Sequence, residues 1–443
     1  MIDLGVKINK AFRPLYESSK RYFLITGGRG SLKSTTVHDF IARLTYQRGH
    51  GVLFTRYTMS SAEISIIPEF LITLERLGIR EDFKVTKRRI INQRTGSFIH
   101  FSGIKTSSGD QTATLKSIAG ITTWVIEEGE DFKDEKAFND IDDSIRTQGI
   151  QNRVIWIQNP TTREHFIYKL AIKPSSRKRL IRGFEVTVSN VPEWEHIHTT
   201  YHIAQELGYL NQAWIEKAEK HLQAIVDKVA DLRAQYQGSG KDRELEAAVY
   251  NAYHSSHYYY NYIGGWLERA EGVIFDNWRE LTFDDSLPYC YGQDYGYHPD
   301  PLAITKVAVN QKAKRIHLKQ MAYHTMVNDV PSLYKLIGIR KRELIVSDTN
   351  ENRTTAKIKK AGYNIVLAAK GPNSVMEDIR EMKEYEILVD PDSEDLKTEL
   401  NNYVWNDKKS SVPIDDFNHL IDGARYGFRR LVRKRKSSAR RRN

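Results

Sequence analysis

The sequence predicts an α/β protein built on two separate sheets, and three observations carry that prediction. Short apolar strands alternate with amphipathic helices through the first two hundred residues. A polar, helix-forming stretch then runs from about Asn211 to Tyr262. Beyond it, three consecutive β-rich runs lead into strand–helix pairs, a different order of elements from the first half.

In the first half, Tyr22–Thr26 reads as a strand. The segment Ser34–Tyr46 reads as a helix, with Val37, Phe40, Ile41 and Leu44 at i, i+3, i+4, i+7 spacing. A strand from Gly51 to Arg56 and a helix from Ile64 to Leu77 follow. Further strands are expected over Ser97–Ser102, Thr122–Ile126 and Arg153–Gln158. Non-alternating apolar strands separated by helices imply a mostly parallel sheet covered on both faces. The polar stretch, with Gly238-Ser-Gly and the aromatic run Tyr258-Tyr-Tyr-Asn-Tyr262, reads as a helical connector or lid ending near Gly264-Gly-Trp. In the last third, Tyr289–Asp294, Leu302–Val309 and Arg315–His324 form a meander. Leu344–Asp348, Asn364–Ala368 and Glu386–Val389 then alternate with helices, which is the element order of an RNase H-like mixed sheet. The expected boundaries are 1–205 for the first module, 206–270 for the lid, 271–432 for the second module and 433–443 for a basic tail.

The chain has 443 residues, enough for two or three domains with their own cores. No apolar run reaches the roughly 18 residues of a membrane span, and the apolar part of the N-terminus is too short for a signal peptide. The single cysteine, Cys290, excludes an intrachain disulfide framework and a cysteine-based zinc site. An intracellular, reducing location is the default expectation. Of the net charge of +11, nine positive residues lie between Arg429 and Asn443, which leaves +2 for the rest. Such a run is usually a solvated end that finds polyanions.

Gly27-Gly-Arg-Gly-Ser-Leu-Lys33-Ser34 follows the first strand and opens a helix. Backbone N–H groups at a helix N-terminus cradle phosphates, a lysine reaches the β/γ-phosphates, and a Ser or Thr hydroxyl meets Mg²⁺. Gly28, Arg29, Gly30, Ser31, Lys33, Ser34 and Thr35 are therefore the ATP-binding candidates. Leu32 stands where the strict pattern has glycine. Thr122-Thr-Trp-Val-Ile ends in Glu127 and Glu128, a strand that delivers two acids to the sheet edge. Glu127 is the Mg²⁺-binding candidate and Glu128 the general base. Ile155-Trp-Ile-Gln158 ends in Asn159-Pro-Thr161, and Asn159 and Thr161 are candidates for coupling the γ-phosphate state to another domain.

The second set of acids is Asp294 at the end of one strand, Asp348 at the end of another and Asp422 on a late helix, with His419 three residues before it on the same face. Three carboxylates in that order suit two-metal phosphodiester cleavage, with two Mg²⁺ or Mn²⁺ held by Asp294, Asp348 and Asp422 and His419 as a further candidate ligand. Asp415 and Asp416 read as helix-start residues. Lys370-Gly-Pro-Asn-Ser follows a strand and is a turn that either approaches a DNA backbone or simply joins strand to helix.

Taken together, these pieces resemble the large terminase subunit of tailed bacteriophages. The similarity lies in Gly27-Gly-Arg-Gly-Ser-Leu-Lys-Ser, Trp124-Val-Ile-Glu-Glu, Asn159-Pro, Thr199-Thr-Tyr, Gly265-Trp, Gly292-Gln-Asp-Tyr-Gly, Val346-Ser-Asp, Ala369-Lys-Gly and Asn418-His-Leu-Ile-Asp-Gly-Ala-Arg-Tyr, in family order. The resemblance implies a P-loop ATPase domain, a helical lid and an RNase H-like nuclease domain. It implies an ATP- and Mg²⁺-dependent motor that moves double-stranded viral DNA into a procapsid, and an endonuclease that cuts the concatemer. It also implies a homo-oligomeric ring on the portal protein, a small terminase subunit as partner, and action in the host cytoplasm, outside the mature virion and away from membranes. The alternatives are a helicase-nuclease of repair or recombination, which would carry a second motor domain, a non-enzymatic nucleic-acid-binding module, and an integrase-like enzyme, which would not need the phosphate loop.

Overall fold

A computed structural model describes the chain except residues 1–4, 6, 59–64, 107–108, 111–114, 116–117, 271, 296–300, 326, 328, 349–351, 370, 372–373, 407–408 and 441–443. For 105–106, 109–110, 352, 409–411 and 433–440 it describes the backbone alone. The chain divides into two units, Met1–Glu268 and Arg269–Asn443.

The first unit is built on a nine-stranded sheet. Its strands are β1 (Tyr22–Gly27), β2 (Gly51–Thr58), β3 (Phe83–Val85), β4 (Arg89–Asn92), β5 (Phe98–Thr106), β6 (Gly109–Asp110), β7 (Ile121–Ile126), β8 (Arg153–Gln158) and β11 (Trp194–Thr199). The order is β11-β1-β8-β7-β2-β5-β4-β3, with β6 beside β5. From β11 through β5 every pairing is parallel, and β4 and β3 extend the sheet antiparallel. Strands β7 and β8 are buried along their whole length, as non-alternating apolar runs require. Each face has its own core. One is built around Phe23, Phe40, Phe54, Phe70 and Phe101, and the other around Trp124, Phe138, Trp156 and Phe166. The helix Lys33–Leu44 buries Val37, Phe40, Ile41 and Leu44 completely, so the predicted stripe is the buried one.

A separate hairpin pairs β9 (Ser176–Ile181) with β10 (Phe184–Ser189). The polar stretch forms two helices, Gln212–Tyr236 and Asp242–His254, and a π-helical turn, Tyr259–Ile263. Its aromatic residues pack with Phe184, Val186 and Val188 of the hairpin into one small core. All of this belongs to the first unit.

The second unit has a seven-stranded sheet of β12 (Trp278–Glu280), β13 (Tyr289–Asp294), β14 (Leu302–Asn310), β15 (Arg315–His324), β16 (Ile345–Ser347), β17 (Ile365–Leu367) and β18 (Glu386–Val389). The order is β12-β18-β15-β14-β13-β16-β17. The meander β13–β14–β15 is antiparallel, whereas β16 and β18 join its two sides parallel. A small hairpin of β19 (Trp405–Asn406) and β20 (Lys409–Pro413) precedes the late helix. That helix, His419–Arg440, crosses β13 and β14 and seals the core with Leu420, Ile421, Ala424 and Phe428. The helix backbone includes most of the predicted tail. The tail side chains from Arg433 onward lie outside the described residues, as do Lys370, Pro372 and Asn373 of the predicted DNA-approach turn.

Candidate functional sites

The parallel order of the first sheet places the ends of β1, β8, β7 and β2 side by side along one edge, where α/β folds bind ligands. The phosphate loop follows β1, Asn159 follows β8, Glu127 and Glu128 follow β7, and Arg56 lies near the end of β2. One cleft is lined by Arg29, Gly30, Lys33, Ser34, Glu127, Glu128 and Asn159, with Arg56 and Glu130 beside them. Gly28 and Ser31 belong to the loop but do not line the cleft. Ser31 Oγ donates to the Gly28 carbonyl at 2.7 Å, and Thr199 Oγ1 donates to the Ser31 carbonyl at 3.0 Å. Thr35 lies elsewhere, in a second cleft with Leu32, Asn9 and Tyr16.

Leu32 has φ +60° and ψ +19°, the left-handed conformation that glycine adopts without strain. Its side chain packs on the phenylalanine core, which offsets the strain and keeps the loop shape without glycine. The loop also rests on the π-helical turn. Arg29 N donates to the Asn261 carbonyl at 2.6 Å, and a Cβ on Gly28 would fall 2.4 Å from the Tyr262 carbonyl oxygen.

The Lys33 ammonium is buried. It donates to the Gly27 and Gly28 carbonyls at 2.9 Å each, to Ser31 Oγ at 3.1 Å and to Asn159 Oδ1 at 3.0 Å. Burial lowers its pKa, with Glu130 and Glu127 pulling the other way. Asn159 in turn donates through Nδ2 to Glu130 Oε1 at 3.0 Å. Burial raises the Glu130 carboxyl above its ordinary range. Asn159 therefore joins the loop lysine to an acid that sequence reasoning missed, although Glu130 lies only two residues beyond the predicted pair. Thr161 accepts through its carbonyl from Leu267 N at 2.9 Å, close to the end of the first unit.

Glu127 and Glu128 diverge. Burial raises the Glu127 pKa, but His38 and a hydrogen bond from Ser34 outweigh it, and the net shift is downward. The chain then turns through Glu128 at φ +50°, a strained conformation for a non-glycine residue. Its side chain is 41% exposed and faces the cleft, paired with the Arg56 guanidinium. Arg56 comes from 72 residues away and carries no motif.

In the second unit, β13 and β16 run parallel with Gln293 opposite Ser347, so Asp294 and Asp348 leave the same sheet edge. The late helix brings the third acid. It lies directly on β13 because two glycines meet: a Cβ on Gly292 would fall 1.7 Å from the Gly423 carbonyl oxygen. His419 Nδ1 lies 3.1 Å from Asp294 Oδ2. Burial raises the Asp294 pKa; His419 lowers it, while Asp422 and Asp348 raise it further, so the three carboxylates share one field. Tyr426 feels all three acids. Asp422 Oδ1 accepts from Arg425 at 2.8 and 3.0 Å, and Arg425 is backed by buried Asp378. Glu399, also unforeseen, is 1% exposed and accepts from Leu420 N and Ile421 N at 3.1 and 3.0 Å, capping the first turn of the helix that carries His419 and Asp422. Asp415 accepts from Asn418 Nδ2 at 3.4 Å, in the turn that leads into that helix.

Two family models match this chain. One, described as phage terminase large subunit, covers residues 19–239, and the other, described as terminase RNAseH like domain, covers 294–429. The chain belongs to the large terminase subunit family. It is a DNA-packaging ATPase and nuclease, and the helicase-nuclease alternative gains no support. The terminase large subunit of Bacillus phage SPP1 is 26% identical over 432 residues, covering 93% of this chain and 92% of that one. Among solved structures, the large terminase of a thermophilic bacteriophage is 14% identical with a TM-score of 0.41, covering 95% of this chain and 98% of that one. The SPP1 large terminase nuclease domain with bound Mn is 25% identical with a TM-score of 0.33, covering 36% of this chain and 98% of that one. Among the described residues, no helix is long and apolar enough to cross a membrane.

Proposed function

We propose that the first cleft binds and hydrolyses ATP and that the Asp294 cluster cuts DNA, so that one chain both drives and ends packaging. The observation that carries this reading is the convergence of two complete acid sets on two separate sheet edges. The loop N–H groups and Lys33 hold the triphosphate, Ser34 and Glu127 hold Mg²⁺, and Glu128 accepts a proton from the attacking water. The Arg56 guanidinium fixes the Glu128 carboxylate over the cleft. Asn159 and Thr161 tie the occupied loop to Glu130 and to the end of the unit.

In the second unit, three crowded carboxylates and one imidazole fit a pair of divalent cations, because cations offset the burial and the mutual repulsion that together raise the Asp294 pKa. Asp294, Asp348 and Asp422 would hold two Mg²⁺ or Mn²⁺, with His419 as a further ligand. Such ions supply an activated hydroxide and neutralise the scissile phosphate. The chain would act as a ring of copies on the portal protein, receive double-stranded DNA from a small terminase subunit, and work in the host cytoplasm.

Separation of activities is the test. Lys33→Ala should abolish DNA-stimulated ATP turnover and leave metal-dependent plasmid nicking intact. Asp294→Asn, Asp348→Asn and Asp422→Asn should each do the reverse. Nicking that survives Asp294→Asn, or ATP turnover that survives Lys33→Ala, would show that the corresponding site is misassigned.

A further inference from the structure

At one wall of the phosphate cleft, three elements bring His38 and Glu69, which the ATPase reading does not use, beside Glu127. His38 lies one turn beyond Ser34 on the loop helix, Glu69 lies in the first turn of the helix Ile67–Arg76, and Glu127 ends β7. One ligand atom from each lies within 4.8 Å of the other two. His38 and Glu127 are 2% and 7% exposed, and His38 Nε2 and Glu127 Oε2 are both buried without a hydrogen-bond partner. They stand 3.7 Å apart, too far for a hydrogen bond and near the separation of two ligands on one cation. The His38 ring is held between Phe54 and Phe70, each centroid 5.4 Å away, so Nε2 cannot easily swing to another partner. Glu69 and Glu127 also line the cleft, which leaves the remaining coordination positions to water or a phosphate oxygen.

We infer that His38, Glu69 and Glu127 form a site for one transition-metal ion of the zinc class. An imidazole with two carboxylates suits Zn²⁺, Co²⁺ or Mn²⁺, whereas Mg²⁺ prefers an all-oxygen shell. Occupation withdraws Glu127 from Ser34. Bound Zn²⁺ therefore inhibits the Mg²⁺-dependent ATPase, and only this consequence rests on the phosphate-loop reading.

The test uses the full chain carrying Asp294→Asn and Asp422→Asn, which removes the nuclease metals from the measurement. Co²⁺ is titrated and followed by its visible absorption. One equivalent should bind, and Zn²⁺ should displace it. His38→Gln and, separately, the surface variant Glu69→Gln should each weaken Co²⁺ binding at least about tenfold, since outer-shell changes alone cost about 10–100-fold. Zn²⁺ inhibition of ATP turnover should weaken in parallel. Absence of a saturable equivalent, or binding that neither variant weakens, would overturn the site. Binding that weakens as stated while Zn²⁺ leaves ATP turnover unchanged would keep the site and overturn its inhibitory role. Lys33→Ala tests the ATPase reading independently of all these outcomes.

Discussion

Leu32 gives an unusual prediction about stability. In a helix interior, glycine is ordinarily about 1 kcal/mol worse than alanine. At position 32 the order should reverse, because the backbone is left-handed at φ +60°. Both Leu32→Gly and Leu32→Ala lose the packing of a partly buried leucine on the phenylalanine core, a common cost of about 1–2 kcal/mol. Alanine keeps the left-handed penalty of about 1–2 kcal/mol. Glycine removes it but gives back about 0.5–1 kcal/mol in unfolded-chain entropy. The glycine variant should therefore be the more stable of the two by about 0.5–1 kcal/mol, or about 1–4 °C in Tm for a unit of this size. The assay is thermal unfolding by circular dichroism, with the first unit's transition recognised by its shift on adding ATP. If Leu32→Ala melts above Leu32→Gly, the left-handed conformation is not what position 32 demands, and the account of how the loop manages without glycine fails.

Glu128→Gln should retain nucleotide binding and lose about 10²–10⁴ in ATP turnover; full turnover with inactivity of Glu127→Gln instead would exchange the two roles. Burial pushes the Glu399 carboxyl up to about 7 from its ordinary 4.5, so between those values the folded chain holds a proton that the unfolded chain releases. Stability of the second unit should then fall as pH rises from 4.5 to 7, by on the order of 3 kcal/mol, and level off above. Glu399→Gln should flatten that slope in denaturant melts, and an unchanged slope would assign it to another group. Deleting residues 433–443 should weaken DNA association, most strongly at low salt, as counterion release requires; equal affinity at low ionic strength would leave the tail without a DNA role.

The local signals were all in the sequence. A strand, a glycine-rich loop and an amphipathic helix are short-range patterns, so Lys33, Ser34 and the Val37–Leu44 stripe could be read directly. Acids that end apolar strands announce a sheet edge, which is why Glu127, Glu128, Asp294 and Asp348 were legible. Asp422 was legible as a candidate metal ligand on a late helix, but the purpose of Gly423 beside it was not. Only packing shows that Gly423 meets Gly292 backbone to backbone and so lowers the helix onto the strand. Several partners were decided by tertiary structure alone. Arg56 reaches Glu128 because β2 pairs with β7, and Glu130 reaches Asn159 because β7 pairs with β8. His38 faces Glu127, and Glu399 caps a helix that begins twenty residues later. Each of these residues is an ordinary charged or aromatic side chain at an unremarkable position. Its role comes from what the sheet order sets beside it, and strand order is a long-range outcome that no local pattern encodes.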